Sequence, residues 1–245
     1  MNTQQVSQLK SIRQEITRFL LKYKFALDEM ETKIEILKEE FESLHDYSPI
    51  EHTKTRLKSP ESMLKKLLRK GGQFSFEAIN EHVKDIAGLR ITCSFVSDIY
   101  RVSEMLQKQS DLNVIEVKDY IKHPKRNGYQ SLHLLIEVPV FLSDRIEQVC
   151  VEVQIRTIAM DFWASLEHKI FYKYNQDVPQ QILIELKEAA DTANALDHQM
   201  ERLMNKVQAI KNSKSDSDVE GINSIMISKQ QFTLPAALLD LLDKN

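Results

Sequence analysis

The sequence has 245 residues, of which 42% are hydrophobic and 28% are charged, and its formal net charge is −3. This length suits one large domain with a full core, or one domain with appendages. The slightly acidic balance excludes a generally basic nucleic-acid coat, so an anion site would need a local concentration of cations. No apolar run is long enough to span a bilayer, and the first residues lack the basic-then-apolar pattern of a secretion signal.

The two cysteines, Cys93 and Cys150, both lie in strand-like apolar runs. Such positions are typical of reduced thiols in a cytoplasmic protein rather than of a disulfide or a metal site. We therefore expect a cytoplasmic location and no membrane partner.

The N-terminal part of the sequence is predicted to be helical. Apolar residues recur at three- and four-residue steps between Val6 and His45, which predicts two helices, and the segment 46–49 (Asp-Tyr-Ser-Pro) breaks the pattern. A further helix should begin at 59–61 (Ser-Pro-Glu), which supplies a capping hydroxyl, a first-turn proline and a carboxylate near the positive end of the helix dipole. The two glycines at 71–72 are expected to end it.

The middle of the sequence alternates between apolar and polar residues, as strands do. Strands are predicted over Leu89–Val96, Asn113–Val117, Ser131–Val140 and Ile146–Ile155, with a helix between the first two. The short link at 141–145 predicts that the last two strands form an antiparallel hairpin.

The C-terminal part returns to helical spacing. One helix is predicted directly after Arg156 and a longer one over 182–210, followed by a polar linker at 211–218 and a short docking helix at 234–242. The sequence therefore predicts an α+β fold, with a mixed sheet flanked by helices. We expect a single domain over 1–212 (N-terminal helices 1–46, core 47–175, C-terminal helices 176–212), then a linker and tail over 213–245.

One strand face carries polar groups suited to phosphate chemistry. Glu152, Gln154 and Arg156 alternate with apolar residues, so a period of two places all three on one face of the sheet. A carboxylate beside an amide and a guanidinium suits a polyphosphate and its metal ion. Asp85 precedes another strand, where it could be a plain loop residue or a cap. Together with Glu152 it could hold Mg²⁺.

Cations cluster before and along the helix that begins near residue 60. Arg56 and Lys58 lead into this helix, on which Lys66 and Arg69 share a face. A solvated basic face is the ordinary explanation of such a run. Cations beside the amides of a helix N-terminus would also favour a bound phosphate chain.

The segment 122–133 forms a second cationic cluster. Lys122 and Lys125 precede an Asn-Gly turn at 127–128, which would present the ring of Tyr129 at a loop tip. That ring is either a core anchor or a stacking platform for a nucleobase. His133 is either a histidine whose ring is hydrogen-bonded within the sheet or a residue that contacts a phosphate or hydroxyl group.

Several common motifs for nucleotide binding and for catalysis are absent from the sequence. It contains no P-loop, no G-x-G-x-x-G, no H-E-x-x-H and no serine elbow, so ATP would have to be held by side-chain cations and a metal on a sheet. An RNA-binding module that uses the cationic loop is the alternative without catalysis. It leaves Asp85 and Glu152 unexplained, because carboxylates repel phosphates unless a metal intervenes.

Five segments, in order, resemble the synthetase domain of RelA/SpoT-type alarmone enzymes. They are 56–62 (RLKSPES), 85–91 (DIAGLRI), 127–133 (NGYQSLH), 152–157 (EVQIRT) and 162–168 (FWASLEH). Because 245 residues leave little room beside such a domain, we expect neither an upstream hydrolase domain nor downstream regulatory domains. The resemblance therefore implies a stand-alone small alarmone synthetase of the RelP type, with a nucleotidyltransferase-like synthetase fold.

The resemblance also implies a reaction and roles for residues. The β,γ-pyrophosphate of ATP would pass to the 3′-hydroxyl of GDP or GTP, giving AMP and ppGpp or pppGpp in the stringent response. Asp85 and Glu152 would be the catalytic residues and the ligands of Mg²⁺, with Glu152 also activating the 3′-hydroxyl. The ATP-binding residues would be Arg56, Lys58, Lys66, Arg69 and Arg90. The acceptor-binding residues would be Lys122, Lys125, Asn127, Tyr129, His133 and Gln154, with Tyr129 stacked on guanine. Arg156, Glu167 and His168 lie in the matched segments as further candidates.

Oligomeric state and the exact reaction stay open at this point. Small members of the family form tetramers, and the apolar stripes of the first and last helices could supply the contacts. Amphipathic helices fold monomers as readily. Another Mg²⁺-dependent nucleotidyltransferase would attack the α-phosphorus and release pyrophosphate, and residue spacing does not distinguish the two reactions.

Overall fold

A computed structural model describes residues 3–45, 47–173, 178–214, 224–227 and 230–233. The helices are α1 Thr3–Leu44, α2 Pro60–Arg69, α3 Phe76–His82, α4 Val96–Gln107, α5 Ile158–Lys173 and α6 Gln180–Lys214. The strands are β1 Ile50–Leu57, β2 Ala87–Cys93, β3 Asn113–Asp119, β4 Leu132–Phe141, β5 Ile146–Thr157, β6 Ser224–Ile227 and β7 Gln230–Thr233. The predicted α+β fold is confirmed.

A five-stranded mixed sheet in the order β1-β2-β5-β4-β3 forms the centre of the fold. Strands β2 and β5 run parallel, and every other neighbouring pair in this sheet is antiparallel. The predicted hairpin is confirmed as β4–β5. Within this register Glu152 of β5 lies opposite Gly88 of β2 on one side and Leu135 of β4 on the other. Glu152 therefore occupies the middle of the sheet.

The N-terminal region forms one helix, so the prediction of two helices over Val6–His45 is wrong. Helix α1 continues for 42 residues and contains no glycine or proline. Its buried stripe passes through Phe19, Tyr23, Met30 and Ile34 without interruption, each at most 7% exposed. Because the whole stripe packs on the sheet, no point along α1 favours a break.

Strand β1 and helix α3 were not predicted. Strand β1 is an edge strand whose residues are mostly polar and exposed, so it lacks the clear apolar alternation of the inner strands. Helix α3 spans only seven residues, too few for a helical period to show, and its N-cap is Ser75, whose hydroxyl accepts from the amide of Ala78. The predicted cap of α2 is confirmed, since Ser59 accepts from the amide of Ser62.

One face of the sheet is buried and the other carries polar groups. Helices α1 and α4 contribute to the core that covers the buried face. The apolar residues of β5 from Val149 to Ile155 are at most 2% exposed, whereas Glu152 and Gln154 are half-buried on the opposite face. The predicted alternation of this strand is confirmed, and it aims the polar side chains away from the core.

A second, smaller core joins α5 to α6. Trp163 and Ala164 of α5 pack with Leu186 and Ala190 of α6, and the indole N–H of Trp163 donates to the Leu186 carbonyl at 2.9 Å. Helix α6 continues to Lys214, so the first four residues of the predicted linker at 211–218 are helical.

The rest of the C-terminal region is only partly described. Residues 215–218 of the predicted linker and the predicted docking helix at 234–242 lie outside the described residues. Strands β6 and β7 pair with each other in a two-stranded antiparallel sheet, which was not predicted. Across the described ranges, no helix is long and apolar enough to cross a membrane. Both cysteines are free thiols, as predicted.

Candidate active site

A cleft of about 310 Å³ opens on the polar face of the sheet. Glu152 of β5 and His133 of β4 line it together with Asp85, which lies in the turn before β2. Its other charged lining residues are Lys66, Lys70, His82, Lys84, Glu116 and Lys118. A larger groove of about 710 Å³ runs between α1 and the β4–β5 turn, but it contains none of the predicted site residues.

Glu152 is held in place by its neighbours on the sheet. Its Oε2 accepts from Gln154 Nε2 at 2.9 Å, and the Nδ1 of His133 lies 3.6 Å from its Oε1. The proximity of His133 lowers the pKa of Glu152 below its usual value, although burial opposes this shift. Glu152 is therefore ionised at neutral pH and points its charge into the cleft.

Asp85 is the second carboxylate of the cleft, and two lysines surround it. Lys58 forms an ion pair with its Oδ2, and Lys66 Nζ lies 2.8 Å from its Oδ1. Burial alone would raise the pKa of Asp85, but the two ammonium groups outweigh it and lower the pKa. Asp85 Oδ1 is buried and makes no hydrogen bond of good geometry. One of its oxygens is thus left with unused acceptor capacity.

The predicted ATP-binding residues do not all converge. Arg56 lies exposed near the end of edge strand β1, shortly before Ser59, the N-cap of α2, and its role in ATP binding stays a prediction. Lys58 and Lys66 meet at Asp85. Arg69 is exposed in the last turn of α2 and is not among the residues that line the cleft. Arg90 of β2 contacts Asp161 instead, with 2.9 Å between its NH1 and Oδ1 of Asp161.

The ring of Tyr129 is half-buried, so the prediction of an exposed ring at a loop tip is wrong. It packs against the small core between α5 and α6, because α6 covers the loop that carries it. Lys125 Nζ lies 4.6 Å from the ring centroids of both Tyr129 and Tyr120. Tyr120 also contacts His133, with ring centroids 5.1 Å apart. The aromatic partner Tyr120 was not predicted.

Gly128 shows how closely α6 presses on this loop. Its φ of +89° is in the left-handed region, and a Cβ there would lie 2.5 Å from the Cβ of Ala190. The neighbouring Asn127 donates to Glu167 of α5 at 2.9 Å, and its own Oδ1 accepts from the amide of Tyr129. The loop is therefore fixed by both C-terminal helices. Two further predicted residues, Lys122 and His168, are exposed.

Five side chains form a closed series of contacts, the polar circuit, on the sheet face. Its members in order are Glu152, Gln154, Arg156, Tyr129 and His133. Arg156 donates to Gln154 Oε1 at 2.7 Å and to the Tyr129 hydroxyl at 2.5 Å. That hydroxyl lies 2.8 Å from His133 Nε2. The circuit joins the predicted base to the predicted guanine platform.

The circuit also assigns the proton on His133. A guanidinium only donates, so the Tyr129 hydroxyl accepts from Arg156 and can donate its own hydrogen bond to His133 Nε2. The neutral imidazole then carries its proton on Nδ1, which faces Glu152. This tautomer directs an N–H toward the carboxylate and supports its ionised form.

Asp161 connects the polar circuit to Arg90, one of the predicted ATP-binding residues. Asp161 itself was not predicted. Its Oδ1 accepts from Arg90 NH1 at 2.9 Å and from Arg156 NH1 at 3.2 Å. Its sequence position gave a weak signal, as an acid in the first turn of a helix that directly follows the polar strand β5.

The chain is similar to known proteins over most of its length. Residues 55–177 match the family model described as a region found in RelA / SpoT proteins. The chain is 56% identical to GTP pyrophosphokinase YwaC of Bacillus subtilis strain 168 over 192 aligned residues. The alignment covers 78% of this chain and 91% of YwaC.

Solved structures show the same relationship. The crystal structure of small alarmone synthetase 2 from Bacillus subtilis matches with a TM-score of 0.72 and 54% identity, over 78% of this chain and 99% of that chain. Small alarmone synthetase 1 from the same organism, bound to its product pppGpp, matches with a TM-score of 0.74 and 39% identity, over 79% and 98%. The chain therefore belongs to the RelA/SpoT family, among its small alarmone synthetases.

Proposed function

We propose that this protein is a (p)ppGpp synthetase of the stringent response, which transfers the β,γ-pyrophosphate of ATP to the 3′-hydroxyl of GDP or GTP and releases AMP. The observation that carries the proposal is the cleft in which Glu152 and Asp85 lie among lysines, with the polar circuit leading to Tyr129. The relatives support it, since YwaC is named a GTP pyrophosphokinase and pppGpp is the product bound to small alarmone synthetase 1.

In the proposed reaction, the acceptor 3′-oxygen bonds to the β-phosphorus of ATP as the bond from that phosphorus to the α,β-bridging oxygen breaks. AMP leaves with the bridging oxygen, and the hydroxyl proton passes to Glu152. Because the pKa of Glu152 is lowered, its carboxylate is ionised but weakly basic. It is suited to take the proton late, once the forming P–O bond has made the hydroxyl acidic.

Asp85 and Glu152 would hold the Mg²⁺ of this reaction. The buried Oδ1 of Asp85, which lacks a well-aligned hydrogen bond, fits a metal ligand. Mg²⁺ typically binds one or two carboxylates and completes its shell with substrate phosphates and water, so two carboxylates are enough. When bound, the ion would neutralise charge on the phosphate oxygens.

Lys58 and Lys66 would exchange partners when ATP binds. Both ammonium groups now pair with Asp85. A polyphosphate offers them stronger anionic partners through charge-assisted contacts. We expect the lysines to turn toward the phosphates and to leave Asp85 available to the cation.

A single labelling experiment tests the proposed reaction. The purified protein is incubated with γ-labelled ATP, Mg²⁺ and GDP, and the labelled products are separated. Label in ppGpp together with unlabelled AMP supports the proposal. Label in free pyrophosphate would show attack at the α-phosphorus and favour another nucleotidyltransferase. Binding of RNA without either product would favour a non-catalytic module.

Removal of the predicted donor cations should weaken ATP binding. Arg56→Ala and Lys58→Ala each remove a charged hydrogen-bond donor, worth about 1.5–3 kcal/mol, so we expect the KM for ATP to rise by roughly 10- to 100-fold. The KM for GDP should change little. Lys108→Ala, at an exposed lysine that follows α4 and does not line the cleft, is the matched control and should behave as wild type. Weakened GDP binding with unchanged ATP binding would contradict the assignment.

Tyr129 is proposed as the guanine platform, and two substitutions test it. Tyr129→Phe keeps the π-face, so acceptor binding should be retained. Tyr129→Ala should lose about 1–3 kcal/mol of stacking, seen as a higher KM for GDP with the KM for ATP little changed.

Because the Tyr129 ring packs in the small core, thermal melting must be measured beside the kinetics. Some loss of melting temperature is expected for Tyr129→Ala. If both KM values rise in parallel as the protein melts early, the ring is structural and the acceptor site is misplaced.

We also propose a homo-oligomer, a tetramer by analogy with small family members. Helix α1 exposes Leu9 and Ile12, and helix α6 exposes Leu196, Met200 and Leu203, each 46–52% accessible. Exposed apolar stripes on two helices suit burial between subunits. A cytoplasmic location follows from the nucleotide substrates and agrees with the free thiols.

A further inference from the structure

We propose that Asp161 is a positioning residue that holds the donor-side Arg90 and the acceptor-side polar circuit in one arrangement. The inference rests on the proposed function for the identity of the two nucleotides. The juxtaposition itself is observed, because a single oxygen of Asp161 accepts from both Arg90 and Arg156. Within the described residues, both ion pairs of Asp161 are with these two arginines.

The charges explain why a carboxylate is needed at this position. Arg90 and Arg156 are like charges on neighbouring strands, and their side chains are only 33% and 5% exposed. Burial, followed by the proximity of Arg156, lowers the pKa of Arg90, whereas Asp161 opposes this. Asp161 therefore compensates a repulsion that water screens only partly. Its place in the first turn of α5 favours its negative charge.

The two arginines differ in their freedom to move. Arg156 is fixed by Gln154, by the Tyr129 hydroxyl and by Ser131, whose Oγ lies 3.4 Å from its Nε. Arg90 has Asp161 as its ion-pair partner, and its own Nε is buried without a hydrogen bond. Loss of the carboxylate would leave Arg156 largely in place but would drive Arg90 away from it.

The consequence reaches both nucleotides. Displaced Arg90 would weaken the ATP site. Arg156 would lose its anionic partner, and its hydrogen bonds to Gln154 and Tyr129, which line the proposed acceptor site, would hold it less firmly. Asp161 thus acts through the two arginines rather than on a substrate.

The test is Asp161→Asn, which keeps the size of the side chain and removes its charge. Affinities of the protein for GDP alone and for a non-hydrolysable ATP analogue alone are measured by calorimetry. We expect both to weaken, the ATP analogue by about tenfold or more and GDP by a smaller factor. Asp144→Asn is the matched control, since Asp144 also accepts from an arginine, Arg145 at 2.8 Å, but lies in the β4–β5 turn.

A double-mutant cycle separates positioning from a structural role. If Asp161 acts through Arg90, then Asp161→Asn should cause no further loss of ATP-analogue affinity in an Arg90→Ala background. Asp161→Glu should restore part of both affinities. Unchanged affinities in Asp161→Asn, or full additivity with Arg90→Ala, would overturn the inference.

Failure of the inference and failure of the proposed function give different results. Wild-type protein that makes ppGpp, with unaltered nucleotide affinities in Asp161→Asn, overturns only the role of Asp161. Wild-type protein that binds neither nucleotide overturns both. A lower melting temperature with both affinities intact at a temperature where the variant is folded shows a structural residue and also overturns the inference.

Discussion

Replacement of Glu152 by glutamine is expected to abolish pyrophosphate transfer and to leave the fold intact. Glutamine has the same shape, and Glu152 lies on the half-buried polar face rather than in the core. The variant loses the proposed base and one of the two proposed metal ligands together. The rate should fall by well over ~10²-fold, the lower range for general acid–base catalysis. The measurement is the turnover of labelled ATP at saturating GDP.

The control for Glu152 lies on the neighbouring strand. Glu137 of β4 is also a half-buried glutamate and accepts from Asn113 at 2.8 Å, but it is outside the cleft. Glu137→Gln should keep wild-type turnover. A Glu152→Gln variant with near-wild-type turnover would remove this residue from the mechanism, whereas an unchanged melting curve with lost turnover would support its role.

Local patterns predicted the elements that obey them. The alternation of β5 fixed which side chains share the polar face, because a pleated strand has only two faces. The Ser-Pro-Glu start of α2 was equally readable, since capping depends on neighbours within one turn. Family resemblance added residue roles that no local pattern supplies, and all of these roles stay predictions.

Contacts between distant segments could not be predicted from local patterns. Asp161 and Arg90 are joined only because β2 and β5 are parallel neighbours and α5 starts where β5 ends. The burial of Tyr129 depends on α6, which packs over its loop. Strand β1 was missed for a different reason. It lies at the edge of the sheet, and its residues are mostly polar and exposed, so its sequence shows no apolar alternation.

Arg156 should be the residue whose loss costs most in both stability and activity. Its side chain is 5% exposed, and its guanidinium donates to Ser131, Tyr129, Gln154 and Asp161. Arg156→Met keeps the length of the side chain but leaves these acceptors without their donor. Breaking a buried charge pair costs about 3–5 kcal/mol, and we expect the lower end because Asp161 is itself partly exposed and keeps Arg90.

Two measurements separate the stability effect from the catalytic effect. Thermal and denaturant unfolding give the loss in free energy of unfolding, and turnover is measured well below the melting temperature of the variant. Arg156→Lys, which keeps the charge but not the planar fork, should recover part of the stability and little of the turnover. That split is expected because a lysine can pair with Asp161 but cannot also hold Gln154 and the Tyr129 hydroxyl. A Met variant as stable and active as wild type would show that the polar circuit organises neither the fold nor the site.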